Sequence, residues 1–171
     1  VLTDRHGRTE AALGLRRACE GPLFLEHYLA VPAEQAIAAL TGLAPERDGL
    51  VELGGFAARS SRSATYLVTA MAAYMHDQSF THALVTSTGR LRRLFAMFDF
   101  DLRCLGDAHR HALPDGGRSW GLYYDDAPRV LAGRVEDCHA AVLRDRDRQT
   151  IAARRAIIDD LILQARALAS C

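Results

Sequence analysis

The chain has 171 residues, 49% hydrophobic and 25% charged, a composition that supports one globular domain and excludes an intrinsically disordered protein. Its 21 basic residues balance 21 acidic ones, so no global positive field collects nucleic acid or an anionic membrane surface. The basic side chains are all arginine, and the lack of lysine excludes a lysine Schiff base and a Walker-type phosphate loop.

In chain order, residues 1–3 and 8–18 predict a hairpin around His6-Gly7. GPLFLEHYL, residues 21–29, mixes apolar and aromatic side chains and reads as a strand or an extended segment. Pro32 near the start and Gly42 past the end bracket a short helix in PAEQAIAALTG. Asp48-Gly49 makes a turn into a strand over residues 50–58. From Ser63, apolar residues at Ala64, Leu67, Val68, Met71, Ala72 and Met75 recur at steps of three and four, which predicts one face of a helix. HALVTST, residues 82–88, reads as a short buried strand, and Leu91, Leu94, Phe95 and Phe98 mark the next helix.

Residues 102–105 and 120–124 read as two further strands joined by a loop containing PDGG, and residues 130–137 are a candidate extension of the sheet. Beyond them, charged clusters alternate with Ile151, Ile158, Leu161, Ile162 and Leu168, the pattern of amphipathic helix. Mixed acids and arginines there favour packing on the domain or on a second subunit, as in a homodimer, over membrane insertion. This order of elements implies an α/β fold with a sheet of mixed direction. The division expected is a domain over residues 1–137 and a helical extension over 138–171. Val1 opens the sequence without an initiator methionine, which leaves room for a preceding N-terminal piece. Four cysteines without a CxxC pair, and no signal peptide or apolar run of membrane-spanning length, predict a cytoplasmic protein with reduced thiols. His109-x-His111 lacks a matching second pair, so no metal site is expected.

LVELGGFAARSSRSAT, from Leu50 to Thr65, concentrates the chemistry. Paired glycines inside a strand mark either a bulge or a packing contact. A bulge at Gly54–Gly55 frees a backbone N–H that can stabilise negative charge developing on a carbonyl. A serine among Ser60, Ser61 and Ser63 caps the following helix, whose first N–H groups suit a phosphate. Arg59 and Arg62 either add forked donors to that seat or stay solvated. Glu52, between apolar neighbours, is either a solvated strand residue or a partly desolvated carboxylate suited to a general base. Carboxylate, bulge and anion-friendly helix start therefore follow one another on a single strand–loop–helix unit.

This unit resembles the centre of the GNAT (Gcn5-related N-acetyltransferase) superfamily, in which a bulged strand precedes a helix start that holds the diphosphate of an acyl-CoA. With ALGLRRA…GPLFLEHYL, LVTSTGRLRRLF and WGLYYDDAPRVLAG, the chain is similar to the thermostable hemolysin family and, more distantly, to acyl-homoserine-lactone synthases. The synthases' GxxR…GP pattern is matched by Gly14, Arg17, Gly21 and Pro22, and their ELxxF(A/V) strand by Glu52, Leu53, Phe56 and Ala57.

The resemblance implies a GNAT-like, centrally splayed sheet flanked by helices. It implies an acyltransferase with no permanently bound cofactor. Its co-substrate would be acyl-CoA or the acyl-phosphopantetheine of an acyl carrier protein, and its acceptor a small amine. Glu52, Gly55 and Tyr124 are the expected catalytic residues. Arg59, Ser60, Arg62, Ser63, Ala64 and Thr65 are expected to hold the phosphates, Phe56 to bind substrate, and Thr86 and Ser87 to shape the acyl pocket. Arg17 would bind a carboxylate-bearing acceptor, or pair with Glu20 or Glu26. Three departures stand out: Arg62 replaces a glycine of the phosphate loop, Phe95 replaces a tyrosine acid, and Gly55 replaces an arginine of the lactone synthases. Phe95 and Arg62 keep open a catalytically silent thioester-binding module, and the family's name together with the C-terminal amphipathic segment keeps open a membrane-active hemolysin.

Overall fold

The computed structural model describes residues 1–148. Six strands form one sheet in the order β1-β2-β3-β4-β6-β5. They are β1 Leu2–Thr3, β2 Thr9–Arg17, β3 Leu50–Ala58, β4 His82–Ser87, β5 Arg103–Asp107 and β6 Arg129–Arg134. Among the described residues only β3 and β4 pair in parallel; every other neighbouring pair is antiparallel. A parallel pair needs a long crossover, and α2, Ser61–Asp77, supplies it. The remaining helices are α1 Ala33–Thr41, α3 Gly89–Met97 and α4 Val135–Arg148. Among the described residues, no helix is long and apolar enough to cross a membrane.

Alternation along the central strands divides the core between two faces. Leu50 and Leu84 pack on one side with Leu23, Leu25, Ala33 and Ile37, beneath α1 and the segment before it. Val85 and Leu131 pack on the other side against Val68 and Ala72 of α2, Phe95 of α3 and Val142 of α4. α1 ends as its sequence predicts: Gly42 adopts the left-handed conformation (φ 78°), and its N–H bonds the Ala38 carbonyl.

Three expectations need correction. Residues 21–29 are not extended; they fold into a 3-10 turn at Phe24–Tyr28. Carboxylates take the backbone donors that a strand would have put into a ladder. Glu26 accepts the N–H of Leu23 at 2.8 Å and of Ala33 at 2.9 Å, and Glu52 accepts those of Phe24 and Leu25. Residues 120–124 form no strand either; 3-10 turns at Arg118–Trp120 and Tyr123–Asp126 flank Gly121, whose φ of 54° breaks any extended run. The sheet also ends at Arg134, where α4 begins. The expected boundary after residue 137 thus falls inside a helix that buries Val135, Cys138, Ala141 and Val142. The amphipathic segment with Ile151 and Leu168 lies outside the described residues.

One arginine holds the turn-rich segment before α1 in place. Arg47 bonds Glu26 at 2.8 Å and Glu34 at 2.7 Å, and also reaches the carbonyls of Ala18 and Gly21. Burial alone would raise the Glu26 pKa. The Arg47 guanidinium and the Ala33 and Leu23 amides outweigh it and hold the carboxyl below its usual range. A carboxyl depressed in this way adds stability above its unfolded pKa and loses it as the pH falls through the folded value. Arg47→Ala is expected to cost about 1–3 kcal/mol at neutral pH, because the pairs are only partly solvated. It is also expected to flatten the loss of stability on acidification. Urea denaturation of both proteins from neutral to acidic pH measures the two effects.

Candidate active site

Parallel pairing between β3 and β4 runs from Leu50↔His82 to Leu53↔Val85 and stops there. On the other edge of β3 the register against β2 slips: Ala12 faces Ala57 and Gly14 faces Gly54, so Leu13 opposes both Gly55 and Phe56. That is a bulge, and Gly55 takes the left-handed conformation (φ +61°) with open space where a side chain would project. A bulged strand bends and twists more strongly, which carries β3 away from β4. Backbone groups on the β4 side of β3 beyond Leu53 therefore have no ladder partner there and border the gap.

A cleft of about 990 Å³ fills the gap and draws its lining from both faces of the sheet. At one end stand Arg59, Ser60, Ser61, Ala64 and Thr65 of the α2 start; Gly54, Gly55, Phe56 and Thr86 follow; Glu52, Phe24, Tyr28, Trp120 and Tyr123 also line it. A deeper apolar part is made by Val68, Met71, Met75, Val85, Leu94 and Phe95.

Ser60 is the N-cap of α2, accepting the Ser63 N–H on its Oγ at 3.0 Å. Ser63 is buried; its hydroxyl lies 2.7 Å from Ser60 Oγ and donates to Glu10 Oε2 at 3.2 Å. Sequence reading missed Glu10, which puts a carboxylate at the positive end of the helix. Arg59, Ser60, Ala64 and Thr65 border the cleft, whereas Ser63 lies buried, bonded to Ser60 and Glu10. Arg62 lies against Tyr66, one turn further along α2, with its guanidinium 5.6 Å from the ring centre and outside the cleft lining.

Glu52 is buried on the α1 side of the sheet, with Leu84 as its β4 partner. Its Oε2 accepts the Phe24 N–H at 2.7 Å and its Oε1 the Leu25 N–H at 3.0 Å. Burial raises its pKa above the usual carboxylate range. The two amides and the charge of Arg16 pull it down, and nearby Glu26 pushes it up. The result is an oriented carboxylate at the cleft wall that binds a proton more tightly than an exposed one.

The other expected site residues divide. Phe56 and Thr86 line the cleft, and Thr86 Oγ1 is buried with no hydrogen-bond partner among the described residues. Ser87 is wholly buried and bonds the Thr88 carbonyl, away from the lining. Arg17 sits with its guanidinium 5.4 Å from the Phe80 ring centre and does not enter the cleft; Glu26 is taken by Arg47. Tyr124 also stays out, lining a separate hollow with His109 and Arg110. Its hydroxyl bonds that of Tyr28 at 2.7 Å, and it is Tyr28 and Tyr123 that border the cleft. Burial pushes both of their hydroxyls up, Tyr123 to about 12, and the Tyr123 hydroxyl donates to the Thr86 carbonyl. Phe95, at the position the resemblance gives to a tyrosine acid, is a core residue that also lines the apolar part of the cleft.

A mixed sheet parted between its one parallel pair, with helices on both faces, is the GNAT-like fold of the acyl-homoserine-lactone synthases. TofI in its apo form superposes with a TM-score of 0.57 at 16% identity, over 82% of this chain and 69% of its own. The AHL synthase LasI does so with 0.54 at 16%, over 80% and 64%. MesI, a CoA-dependent acyl-homoserine lactone synthase, gives 0.53 at 14%, over 84% and 66%. The chain therefore spans about two thirds of the length of these structures. No match is found among curated proteins. The sequence profile of the thermostable hemolysin family matches residues 1–139, and the chain belongs to that family.

The bulge lies at Gly55–Phe56 instead of the expected Gly54–Gly55, with Gly54 paired to Gly14 beside it, so the two glycines should respond differently to a side chain. Gly55→Ala puts a side chain at φ +61° and is expected to cost roughly 1–2 kcal/mol. Gly54→Ala, next to it, meets nothing within 4 Å and needs no left-handed backbone, so its stability is expected within about 0.5 kcal/mol of the parent. Thermal or urea denaturation of the two variants side by side measures the difference.

Proposed function

We propose that this chain is an acyltransferase that moves an acyl group from a CoA or carrier-protein thioester to an amine by direct attack. The observation that carries the reading is the continuity of the cleft. The α2 start, the unpaired edge of β3 at Gly54–Gly55 and the buried carboxylate of Glu52 all border one space.

Each region has a part suited to it. The phosphate of the thioester lies at the α2 start, beside Arg59 and Ser60, where helix dipole and guanidinium favour an anion. The acyl chain takes the apolar part among Val68, Met71, Val85 and Phe95. The thioester carbonyl lies along β3, where a backbone N–H left without a ladder partner stabilises the oxyanion. Glu52, ionised, takes a proton from the ammonium of the acceptor. The freed nitrogen attacks the carbonyl carbon, the C–S bond breaks, and the nitrogen's surplus proton leaves with the sulfur as the free thiol. Positioning and electrostatics supply most of the acceleration, and no covalent acyl-enzyme is required. The fold likeness to MesI, described as CoA-dependent, supports a thioester as donor.

Glu52→Gln is expected to lower kcat by about 10²–10⁴-fold and to leave thioester binding within about threefold. Because the base acts only when ionised, kcat/KM of the parent should rise with pH through the raised Glu52 pKa and then level off. The Gln variant should lack that limb. Calorimetry with acyl-CoAs and acyl carrier protein, then turnover over a pH series, tests both. Full activity in Glu52→Gln would remove the carboxylate from the mechanism. A melting curve is needed alongside, because Gln replaces one acceptor oxygen that holds the turn.

A further inference from the structure

At its Glu52 end the cleft is walled by rings. The amide of Phe24 holds Glu52 Oε2, so the Phe24 ring begins where the carboxylate is anchored. It lies 5.4 Å from the Trp120 ring and 6.0 Å from the Tyr28 ring, and Trp120 lies 5.2 Å from Tyr123. All four rings border the cleft, and Trp120 remains 40% exposed.

The segment that brings Trp120 here is fastened at several points. Tyr124 bonds Tyr28, Tyr123 bonds the Thr86 carbonyl, and Asp126 accepts the Arg90 N–H at 3.2 Å. Asp115 accepts the N–H groups of Gly117 and Ser119, which shapes the turn leading to Trp120. The rings therefore stand in position before any ligand arrives, which lowers the ordering cost of binding.

A buried carboxylate beside aromatic rings has a definite preference. It attracts a cation, a ring that turns its face to that cation adds quadrupole attraction, and the area of the rings shelters an apolar body. Arg17, the expected partner for an acceptor's carboxylate, lies over Phe80 and outside the cleft; the arginines that do line it, Arg59, Arg90 and Arg93, belong to the α2 start and to α3, which pack on the face of the sheet opposite Glu52. We propose, resting on the acyl-transfer reading, that the acceptor is a primary amine with an aromatic or bulky apolar body and no carboxylate. Its nitrogen lies at Glu52 and its body against Phe24, Tyr28, Trp120 and Tyr123.

Trp120 is the one tryptophan of the chain, so its emission reports on this end of the cleft without an acyl donor. Titration with phenethylamine is expected to change that emission saturably. 2-Phenylethanol lacks the charge, butylamine lacks the ring and L-phenylalanine adds a carboxylate; each is expected to bind at least about fivefold more weakly. Phe24→Leu keeps an apolar side chain at the turn and is expected to weaken phenethylamine by about three- to tenfold in calorimetry, with circular dichroism confirming the fold. Equal or tighter binding of L-phenylalanine overturns the proposal. So does the lack of any saturable amine response in protein that still binds acyl-CoA, an outcome that leaves the acyl-transfer reading intact. Saturable phenethylamine binding in protein that binds neither acyl-CoA nor acyl carrier protein keeps the amine seat and overturns acyl transfer.

Discussion

A parallel strand pair that stops pairing after four residues is the constraint on which the structure depends. β3 and β4 hold together at Leu50–Leu53 because α2 crosses back over them and buries Val68 and Ala72 against Val85. They separate beyond because Gly55 lets β3 bulge against β2 and bend away. A sheet normally satisfies its own backbone, so a gap through its middle leaves polar groups and apolar side chains facing the same space. Such a gap is a ready seat for a molecule that has a polar carbonyl and an apolar tail.

The carboxylates around the gap are placed with equal economy. Glu26 and Glu34 are locked by Arg47, which fixes the residues before α1. That fixed segment offers the Phe24 and Leu25 amides to Glu52. Glu52 is thus aimed by the backbone of a distant turn, and the same turn delivers Phe24 and Tyr28 to the cleft. The orientation of Glu52 and the aromatic wall share one structural cause. Glu10 plays the corresponding part at the other end, where it completes the serine cap of α2.

The sequence made the central unit legible because its signals are local. The bounds of β3, the Ser60 cap and the bulge glycines all lie within a few residues of the side chains that reveal them. Glu52 could be picked out as a strand carboxylate between Val51 and Leu53, though the amides that hold it could not. The aromatic wall was not legible. Trp120, Tyr123 and Tyr124 have the composition of a strand, and only the left-handed Gly121 and the bond from Tyr124 to Tyr28, 96 residues away, show otherwise. A strand reading gives no reason to choose between adjacent tyrosines, and it is Tyr123, not Tyr124, that lines the cleft. Arg62 and Ser63 were assigned to the phosphate seat by position in the loop. The helical turn sends Arg62 to Tyr66, and the cap draws Ser63 inward.

The account stands most directly on whether a thioester's carrier group occupies the parted sheet. Backbone amide shifts in a ¹⁵N-labelled NMR titration with CoA would show this without any turnover. The account predicts saturable shifts concentrated at Gly54, Gly55 and residues 59–65, and little change along β1 and at the start of α1. Shifts clustered elsewhere, or none with either about 1 mM CoA or acyl carrier protein, would contradict it.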